Sequence, residues 1–386
     1  MSRLDELIQE LCPNGVEYRP LEKCCEVLDK KRKPVTKATR VAGEYPYYGA
    51  NGIQDYVSDY IFDGTFVLVG EDGSVLTPND TPVVNWATGK IWVNNHAHII
   101  SEIDGVLLRY LFHYLQTINV KHLIHGNIPK LTGGDFRALE IPVPPLEVQS
   151  EIVRILDNFT ELTAELTAEL TARKKQYEYY RDKLLTFDNS ISFIALSELC
   201  DIGDGLHGTP EYNDNGEYYF INGNNLSNGR IVFDAKTKRI AKDEYERISI
   251  SFGETLLFSI NGTIGNIAIY NDENIALGKS VAYFNVTSDK LLLKYLFYVL
   301  QSKQTMAYFE KNLTGSTIKN LGLKTLRDYK IALPSLDVQK RLVYVLDNFD
   351  AICSDLKIGL PAEIGARQRQ YEYYRDKLLS FRGGNI

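Results

Sequence analysis

The sequence predicts an α+β protein made twice over: two similar mixed α/β lobes, separated by two long antiparallel coiled-coil helices, in a pseudo-twofold internal repeat. Three observations predict it. Blocks of sequence recur in the same order in both halves of the chain. Apolar residues toward the end of each half keep a heptad spacing. Between the blocks, short apolar segments alternate with Gly and Asn turns.

The repeat is plainest near the ends of the halves. Residues 173–187 (RKKQYEYYRDKLLTF) match 367–381 (RQRQYEYYRDKLLSF), and 139–159 (LEIPVPPLEVQSEIVRILDNF) match 329–349 (YKIALPSLDVQKRLVYVLDNF). Further back, 104–116 (DGVLLRYLFHYLQ) match 289–301 (DKLLLKYLFYVLQ), and Leu21, Cys25, Glu26 and Val27 match Leu196, Cys200, Asp201 and Ile202. Residues 30–100 and 205–285 share little beyond Gly73-Ser74-Val75 against Gly262-Thr263-Ile264. One scaffold thus presents two different centres. The division that follows is 1–12, 13–145 (first lobe), 146–187 (first arm), 188–334 (second lobe) and 335–381 (second arm).

In the first arm the apolar spacing runs 4,3,4,3 through Ile152, Leu156, Phe159, Thr163, Leu166, Leu170, Arg173, Tyr177, Tyr180 and Leu184, which is a coiled-coil seam. The second runs Leu342, Leu346, Phe349, Cys353, Leu356, Leu360, then Ile364, Arg367, Tyr371, Tyr374 and Leu378. Its additional step of four is a stutter, and Gly359, Pro361 and Gly365 lie on it, so a kink or break is expected there. The two arms supply each other's partner. Tyr179 and Tyr373 fall off the stripe and are expected to face another protein, with Tyr177, Tyr180, Arg181, Tyr371, Tyr374 and Arg375 around them.

The lobes carry strand-like segments at Thr65–Val69, Val83–Trp86 and Ile91–Asn94, and at Tyr218–Ile221, Thr255–Ile260, Ile267–Tyr270 and Val281–Val286, indicating a mixed, largely antiparallel sheet. Asp104 and Asp289 look like N-caps of one apolar core helix per lobe. The N-terminal stretch reads as a short amphipathic helix with Leu4, Leu7, Ile8 and Leu11 on one face; Asp5, Glu6 and Glu10 exclude a signal peptide. It has no counterpart opening the second half and is matched instead to the tail of an arm, because Val16-Glu17-Tyr18 aligns with Ile191-Ser192-Phe193. The repeat is then circularly closed, with the termini close in space.

Composition sets bounds on function. The chain has 386 residues, 44% hydrophobic and 24% charged, an ordinary globular balance without a membrane-length apolar run. Five cysteines without CxxC spacing suggest reduced thiols in a cytoplasm. The net charge of −7 argues against a crude basic clamp, but the local field matters more than the total. Gly278-Lys279-Ser280 resembles the end of a phosphate loop and fails, because Glu273 stands where that loop needs glycine. No cofactor fingerprint, methyltransferase tetrapeptide or nuclease carboxylate cluster is evident, so catalysis by this chain is not expected. Five histidines, His96, His98, His113, His122 and His125, lack a defined third and fourth partner for a metal; no metal is expected, His113 is read as a core or capping histidine, and His96 and His98 as hydrogen-bonding groups at a polar surface.

Basic and amide groups interleave with aromatics and glycines in both centres. The first has Lys31, Arg32, Lys33, Lys90, Asn94, Asn95, His96 and His98; the second has His207, Asn222, Asn224, Asn225, Arg230, Lys236, Lys238, Arg239 and Thr263. Asn pairs bidentately with adenine, Arg or Lys with guanine, and glycine admits backbone to phosphate, so these are the candidate DNA contacts. A scaffold whose lobes bind peptides or ligands, without DNA, is the alternative.

The Pro145-Leu146-Glu147-Val148-Gln149 helix start and its near match at 335–339, the Thr-Ala-Glu-Leu repeats at 163–170, and the Tyr-Glu-Tyr-Tyr-Arg-Asp-Lys-Leu-Leu ends together resemble Type I restriction–modification specificity subunits. Val93–His98 and Gly262–Gly265 are similar to segments of that family's target recognition domains. The resemblance implies two such domains, each reading half of a bipartite target in double-stranded DNA. It implies helical arms that act as spacer and dock two modification subunits. Those hold S-adenosylmethionine; restriction subunits bring ATP and Mg; this chain itself binds no cofactor.

The heptad count makes the spacer quantitative. One Thr-Ala-Glu-Leu unit is four residues, about 6 Å of helix, hence at most ~2 base pairs of DNA. Four residues exceed one turn only slightly, so the seam stays nearly in register. Inserting one more unit after Leu170 is expected to preserve both half-site sequences and widen the unspecified gap by about one or two base pairs. Sequencing the methylated motif checks this; an unchanged gap in an active variant would show that the arms are not the ruler.

Overall fold

The computed structural model describes residues 3–188, 190–315, 317–355 and 358–383. The chain divides into two compact units that cut across the sequence halves: Met1–Glu165 with Ile364–Ile386, and Leu166–Glu363. Each unit holds one lobe, the root of the arm that leaves it and the tail of the other arm.

In the first unit, α1 (Arg3–Leu11) precedes β1 (Glu17–Pro20). A six-stranded sheet follows, built from β2 (Glu26–Val27), β3 (Ala42–Gly49), β4 (Gly52–Val57), β5 (Phe62–Gly70), β6 (Val84–Val93) and β7 (Ala97–Ser101), in the order β2-β7-β5-β6-β3-β4. Only β3 and β6 run parallel. The apolar helix α2 (Leu108–Leu115), the hairpin β8 (Ile124–His125) and β9 (Lys130–Leu131), and α3 (Gly133–Arg137) lead to β10 (Glu140–Val143), which pairs back on β1. Then comes the arm helix α4 (Leu146–Leu184).

In the second unit, β11 (Phe193–Ala195) leads to β12 (Cys200–Asp204), β13 (Tyr218–Ile221), the hairpin β14 (Leu226–Ser227) and β15 (Arg230–Ile231), β16 (Lys238–Ile240) and α5 (Lys242–Ile248). β17 (Thr255–Ser259), β18 (Ile267–Ile269), β19 (Ile275–Leu277) and β20 (Val281–Val286) follow. The strands order as β12-β20-β17-β18 and β16-β13-β19. Helices α6 (Leu293–Leu300), α7 (Lys303–Lys311) and α8 (Leu323–Asp328) precede β21 (Lys330–Ala332), which pairs on β11; α9 (Leu336–Ser354) and α10 (Leu360–Leu378) complete the chain.

The two divergent centres therefore share one topology. β2-β7-β5 corresponds to β12-β20-β17; β4-β3-β6 corresponds to β16-β13-β19, each with one antiparallel and one parallel pairing. The single strand β6 is split into β18 and β19 in the second lobe. The sequence suggested two strands in the first lobe as well. They form one continuous ladder with β5, and within it Gly64 and Gly89 face each other with φ of 151° and 77°, backbone that a side chain would strain.

Closure of the repeat is built from hydrogen bonds inside the first unit. The Val16 N–H donates to the Arg382 carbonyl (3.2 Å) and the Tyr18 hydroxyl to the Phe381 carbonyl (3.1 Å). Tyr18 pairs with Pro142 as Phe193 pairs with Ala332, the same register in both lobes. One expectation is corrected: α1 is not the match of an arm tail, because α10 itself fills that place in the first unit, as the end of α4 does in the second. α1 is an addition.

At the root of each arm lies one fully buried amide. The Gln149 Oε1 accepts from the Leu107 N–H (2.9 Å), and its Nε2 donates to the carbonyls of Gly105 (3.0 Å) and Pro144 (2.8 Å). Gln339 repeats this with the Leu292 N–H (2.9 Å) and the carbonyls of Lys290 (2.8 Å) and Pro334 (2.9 Å). Asp104 and Asp289 are thus not the caps. The helices start later, after Leu107 and Leu292, and the arm glutamines serve the N-cap residue. The apolar helices are core as expected, and the Tyr110 and Tyr295 hydroxyls donate to the Pro142 and Ala332 carbonyls.

The arms pair as the stripe requires. In the first unit Phe159 stacks on Tyr374 with centroids 5.4 Å apart; in the second, Phe349 stacks on Tyr180 at 5.8 Å. His113, buried as expected, accepts from the Tyr371 hydroxyl at Nδ1 (2.9 Å) and donates from Nε2 to Asp157 (2.8 Å). Its burial outweighs the Asp157 contact and holds its pKa below the usual histidine range, so the ring is neutral. α4 is continuous over 39 residues. The second arm breaks, as expected: α9 ends at Ser354 and α10 restarts at Leu360 with Pro361 in its first turn, where a missing N–H costs no hydrogen bond. Gly365 lies within α10 without interrupting it, and Leu356 lies outside the described residues.

Removing either glutamine strands one N–H and two carbonyls in the interior. Gln149→Ala and Gln339→Ala are each expected to destabilise their own unit by about 2–4 kcal/mol. Urea unfolding followed by a probe in each unit checks this; a loss shared equally by both units would show that the clamp is not local.

Candidate nucleic-acid interface

The sequence candidates separate into two groups once their surroundings are known. Arg32 does not face outward. Its guanidinium donates to Glu71 (2.6 Å) and to the carbonyls of Asp29 (2.9 Å) and Ala97 (2.6 Å). His98, expected at a polar surface, is fully buried, stacked on Phe136 with centroids 4.2 Å apart, between Asp29 (2.8 Å) and the Leu131 carbonyl (3.0 Å). Asn94, only 2% exposed, accepts from the His96 N–H (2.8 Å) and braces the turn before β7. In the second lobe Asn222 and Asn225 cap each other reciprocally, and Asn225 also donates to the Val232 carbonyl (3.1 Å) and the Thr237 hydroxyl (3.2 Å). These five are corrected: Asn94, His98 and Asn225 are buried and Arg32 and Asn222 half-buried, and each spends polar atoms on partners within its own lobe.

Asp29, Glu71 and His98 place their donor atoms within 4.8 Å of one another, a grouping the sequence did not reveal. Protein cations already meet both carboxylates, Arg32 and Lys130 (3.1 Å) at Glu71 and Arg137 (3.7 Å) at Asp29, and the His98 ring contacts Asp29 as well. Burial works to raise both carboxyls, yet the contacts with His98 and the Ile99 N–H at Asp29, and with Arg32 at Glu71, hold them below the usual range. The cluster is an internal ion network that ties the 29–31 turn to β5 and β7.

The other group is exposed: Lys31, Lys33, Lys90, Asn95 and His96, and His207, Asn224, Arg230, Lys236, Lys238, Arg239 and Thr263. His96 pairs with Asp72, and His207 with Asp204 (2.9 Å). Lys90, on β6, lies 4.6 Å above the Tyr60 ring and 6.0 Å from that of Tyr45 on β3. Tyr56 on the neighbouring β4 is half-exposed, and Lys33 is held beside β6 by the Trp92 indole, which donates to its carbonyl (2.6 Å). In the second lobe Arg239 on β16 lies 4.8 Å over the ring of its strand partner Tyr219 on β13 and donates to that hydroxyl (2.8 Å). Phe233 stacks on the same tyrosine at 4.2 Å, and Lys238 lies 5.8 Å from Tyr212. Arg230 is not brought into this group; it lines a cleft beside Lys294, Asp347 and Asp350. His207 and Thr263 lie on other turns.

So the corresponding three strands in each lobe, the outer half of the six-stranded sheet in the first and a separate sheet in the second, carry cations over tyrosine rings. A ring face holds a cation in place without neutralising it, leaving its donors for an anion or a base edge. Tyr45, Tyr60, Tyr212, Tyr219 and Phe233 were not singled out from the sequence. The signal, an aromatic opposite a cation, appears only once strand register is known.

On the arms, Tyr179 and Tyr373 are 58% and 62% exposed. Tyr177 and Tyr371 are corrected: both pack into their own unit's core, under Arg181 and Arg375, which lie 5.6 Å over the rings and bond to Asp182 and Asp376. Tyr180 and Tyr374 stack across the seam on one face yet remain 37% and 36% exposed, so they stay beside Tyr179 and Tyr373 as candidate partner contacts.

The Type I restriction modification DNA specificity domain family matches residues 13–173 and 190–366. A Haemophilus influenzae protein bearing the name of a type I restriction enzyme specificity subunit is 37% identical over 388 residues, 95% of this chain and 96% of that protein. The Escherichia coli EcoR124I/EcoR124II specificity subunit is 30% identical over 410 residues, 95% of this chain and 98% of its own length. Among solved structures, a chain from work on complex assembly and conformational transition of the type I R-M system aligns with TM-score 0.60 at 18% identity, covering 97% of this chain and 99% of its own. The S subunit from M. genitalium aligns with TM-score 0.53 at 16% identity, covering 95% and 97%. These two likenesses are of fold.

Arg32→Ala is expected to destabilise the first unit by about 3 kcal/mol, because Glu71 and Asp29 lose their shared cation in a nearly dry site. Lys31→Ala, at an exposed neighbour, is expected to leave stability within about 0.5 kcal/mol. Chemical denaturation of the two variants separates an internal brace from a surface charge.

Proposed function

The chain belongs to the Type I restriction modification DNA specificity family and is the specificity subunit of a Type I restriction–modification system; from that premise we propose that each lobe reads half of a bipartite duplex target through these three corresponding strands. One observation carries the reading: Lys90 over Tyr60 in the first lobe and Arg239 over Tyr219 in the second stand on topologically corresponding sheets. Lysine and arginine supply charge for phosphates and donors for guanine O6 and N7. The repeated scaffold and the unlike side chains on it fit two readers of two different sequences. The net charge of −7 is compatible with this because the local field at the contact surface, where Lys90, Lys238 and Arg239 stand exposed, matters more than the total.

Methyl transfer and cleavage belong, in this reading, to partner subunits. Two modification subunits holding S-adenosylmethionine dock on the arms, with Tyr179 and Tyr373 as exposed anchors, and restriction subunits using ATP and Mg join through them. No helix among the described residues is long and apolar enough to cross a membrane, and the five cysteines are free and buried, which fits a reducing cytoplasm.

Lys90→Ala and Arg239→Ala are each expected to weaken specific duplex binding by about 1–3 kcal/mol and to relax opposite halves of the methylated motif. Binding titrations at fixed salt with methylated-base sequencing check this. Unchanged binding and an unchanged motif in both variants would exclude the sheets as the reading surface.

A further inference from the structure

The two arm roots present the same helix face with different covers. On α4, Val148, Glu151 and Ile152 are buried and Ile155 is half-buried; on α9 the equivalent Val338, Arg341 and Val345 are exposed and Leu342 is half-buried. These positions follow i, i+3, i+4, i+7, which is one stripe of a helix. In the first unit the cover is α1. Leu4 is buried in the same core cluster as Val148 and Ile152, with Leu7 and Ile8 packed against it. Arg3 and Leu7 share a cleft with Ser150, Glu151 and Arg154. After the larger effect of Arg154, Arg3 also helps hold the Glu151 carboxyl below its ordinary range. The second repeat has no such helix: among the described residues, the chain passes from the end of α4 at Leu184 to β11 without one. α9 therefore exposes Val338 (39%), Val345 (38%) and Ile352 (44%), seven residues apart, with Tyr344 (71%) beside them.

We infer that this α9 face is a docking site for an amphipathic helix about as long as α1, carried by another protein and acidic on its docking side. The copy in the first unit gives the kind of cover, and charge gives its chemistry. Where α1 sets Arg3 against Glu151, α9 offers Arg341, with Lys340 in the place of Ser150. The fitting helix has apolar residues where α1 has Leu4, Leu7 and Ile8, and a carboxylate where α1 has Arg3. A second copy of this chain does not fit, because its α1 would bring Arg3 onto Arg341.

The probe is a synthetic peptide of residues 3–15 with Arg3→Glu, cross-linked between positions 6 and 10, both exposed in α1, to hold the helix. It is titrated with the full-length chain by fluorescence anisotropy. One peptide is expected to bind per chain, about tenfold tighter than the peptide with Arg3 retained. Binding is lost in Val345→Asp, and the preference between the peptides reverses in Arg341→Glu. Circular dichroism matching the unaltered chain keeps misfolding from passing as lost binding. No binding, equal binding of both peptides, or binding indifferent to Val345→Asp overturns the proposal. So does sedimentation of a dimer that Val345→Asp dissolves, since a second copy would then occupy the face. The measurement uses neither DNA nor methylation, so its failure and that of the proposed function are told apart.

Discussion

The amide at each arm root is the constraint on which the architecture rests. The N-terminus of an apolar core helix, the loop before it and the first turn of a coiled-coil arm meet in the interior, and each leaves backbone groups that must find partners. What is left over is one N–H and two carbonyls. A glutamine side chain offers one acceptor oxygen and two amide protons, and Gln149 and Gln339 satisfy that set at 2.8–3.0 Å in both units. Glutamate would lack the donors, and asparagine would be one methylene short. The direction in which an arm leaves its lobe is thereby set by hydrogen bonds, independently of what the lobe carries on its outer sheet.

That independence explains how the centres can diverge. β3, β4 and β6 share almost no residues with β13, β16 and β19, yet both sets make one antiparallel and one parallel pairing. Sheet topology needs apolar residues on the inner face and backbone groups in the ladder; it places few demands on the outer face. The outer face is free to hold Lys90 with Tyr45 and Tyr60 in one lobe and Arg239 with Tyr219 and Phe233 in the other. The duplicated scaffold and the unlike surfaces thus follow from one physical separation between buried and exposed demands.

The same separation decides what could be read without coordinates. Periodicity and repetition are local, and they located the arms, the break near Gly359, the core helices and the circular closure. Partner choice is not local. Arg32 and His98 differ from Lys90 and His96 only in what the fold brings beside them: Glu71 lies 39 residues from Arg32, and Asp29 lies 69 from His98. A basic or amide side chain looks alike whether it is aimed at solvent or consumed by a buried carboxylate. Asn94, Asn222 and Asn225 were misassigned for that reason. The Asp104 and Asp289 caps failed similarly, since the true partner of each helix start is an arm residue more than 40 positions away.

Where the repeats differ inside a shared setting, chemistry has been exchanged in matched pairs. His113 in the first unit stands where Tyr298 stands in the second, and both meet the arm aspartate, Asp157 or Asp347. Arg109 and Lys294 reach the same two carboxylates at 2.8 and 2.9 Å. A neutral imidazole and a phenol each donate one hydrogen bond to that carboxylate, so the seam tolerates the exchange. They differ in what else they take: the imidazole accepts from the Tyr371 hydroxyl and gives that buried phenol a partner. A tyrosine at 113 would have to serve both partners from one hydroxyl oxygen, donating to Asp157 and accepting from Tyr371, where the imidazole reaches them from two nitrogens on opposite sides of the ring. The histidine therefore belongs with Tyr371 as a unit. The two arm tails, nearly identical in sequence, are fitted to unlike sockets by the residue in the socket rather than by the tail.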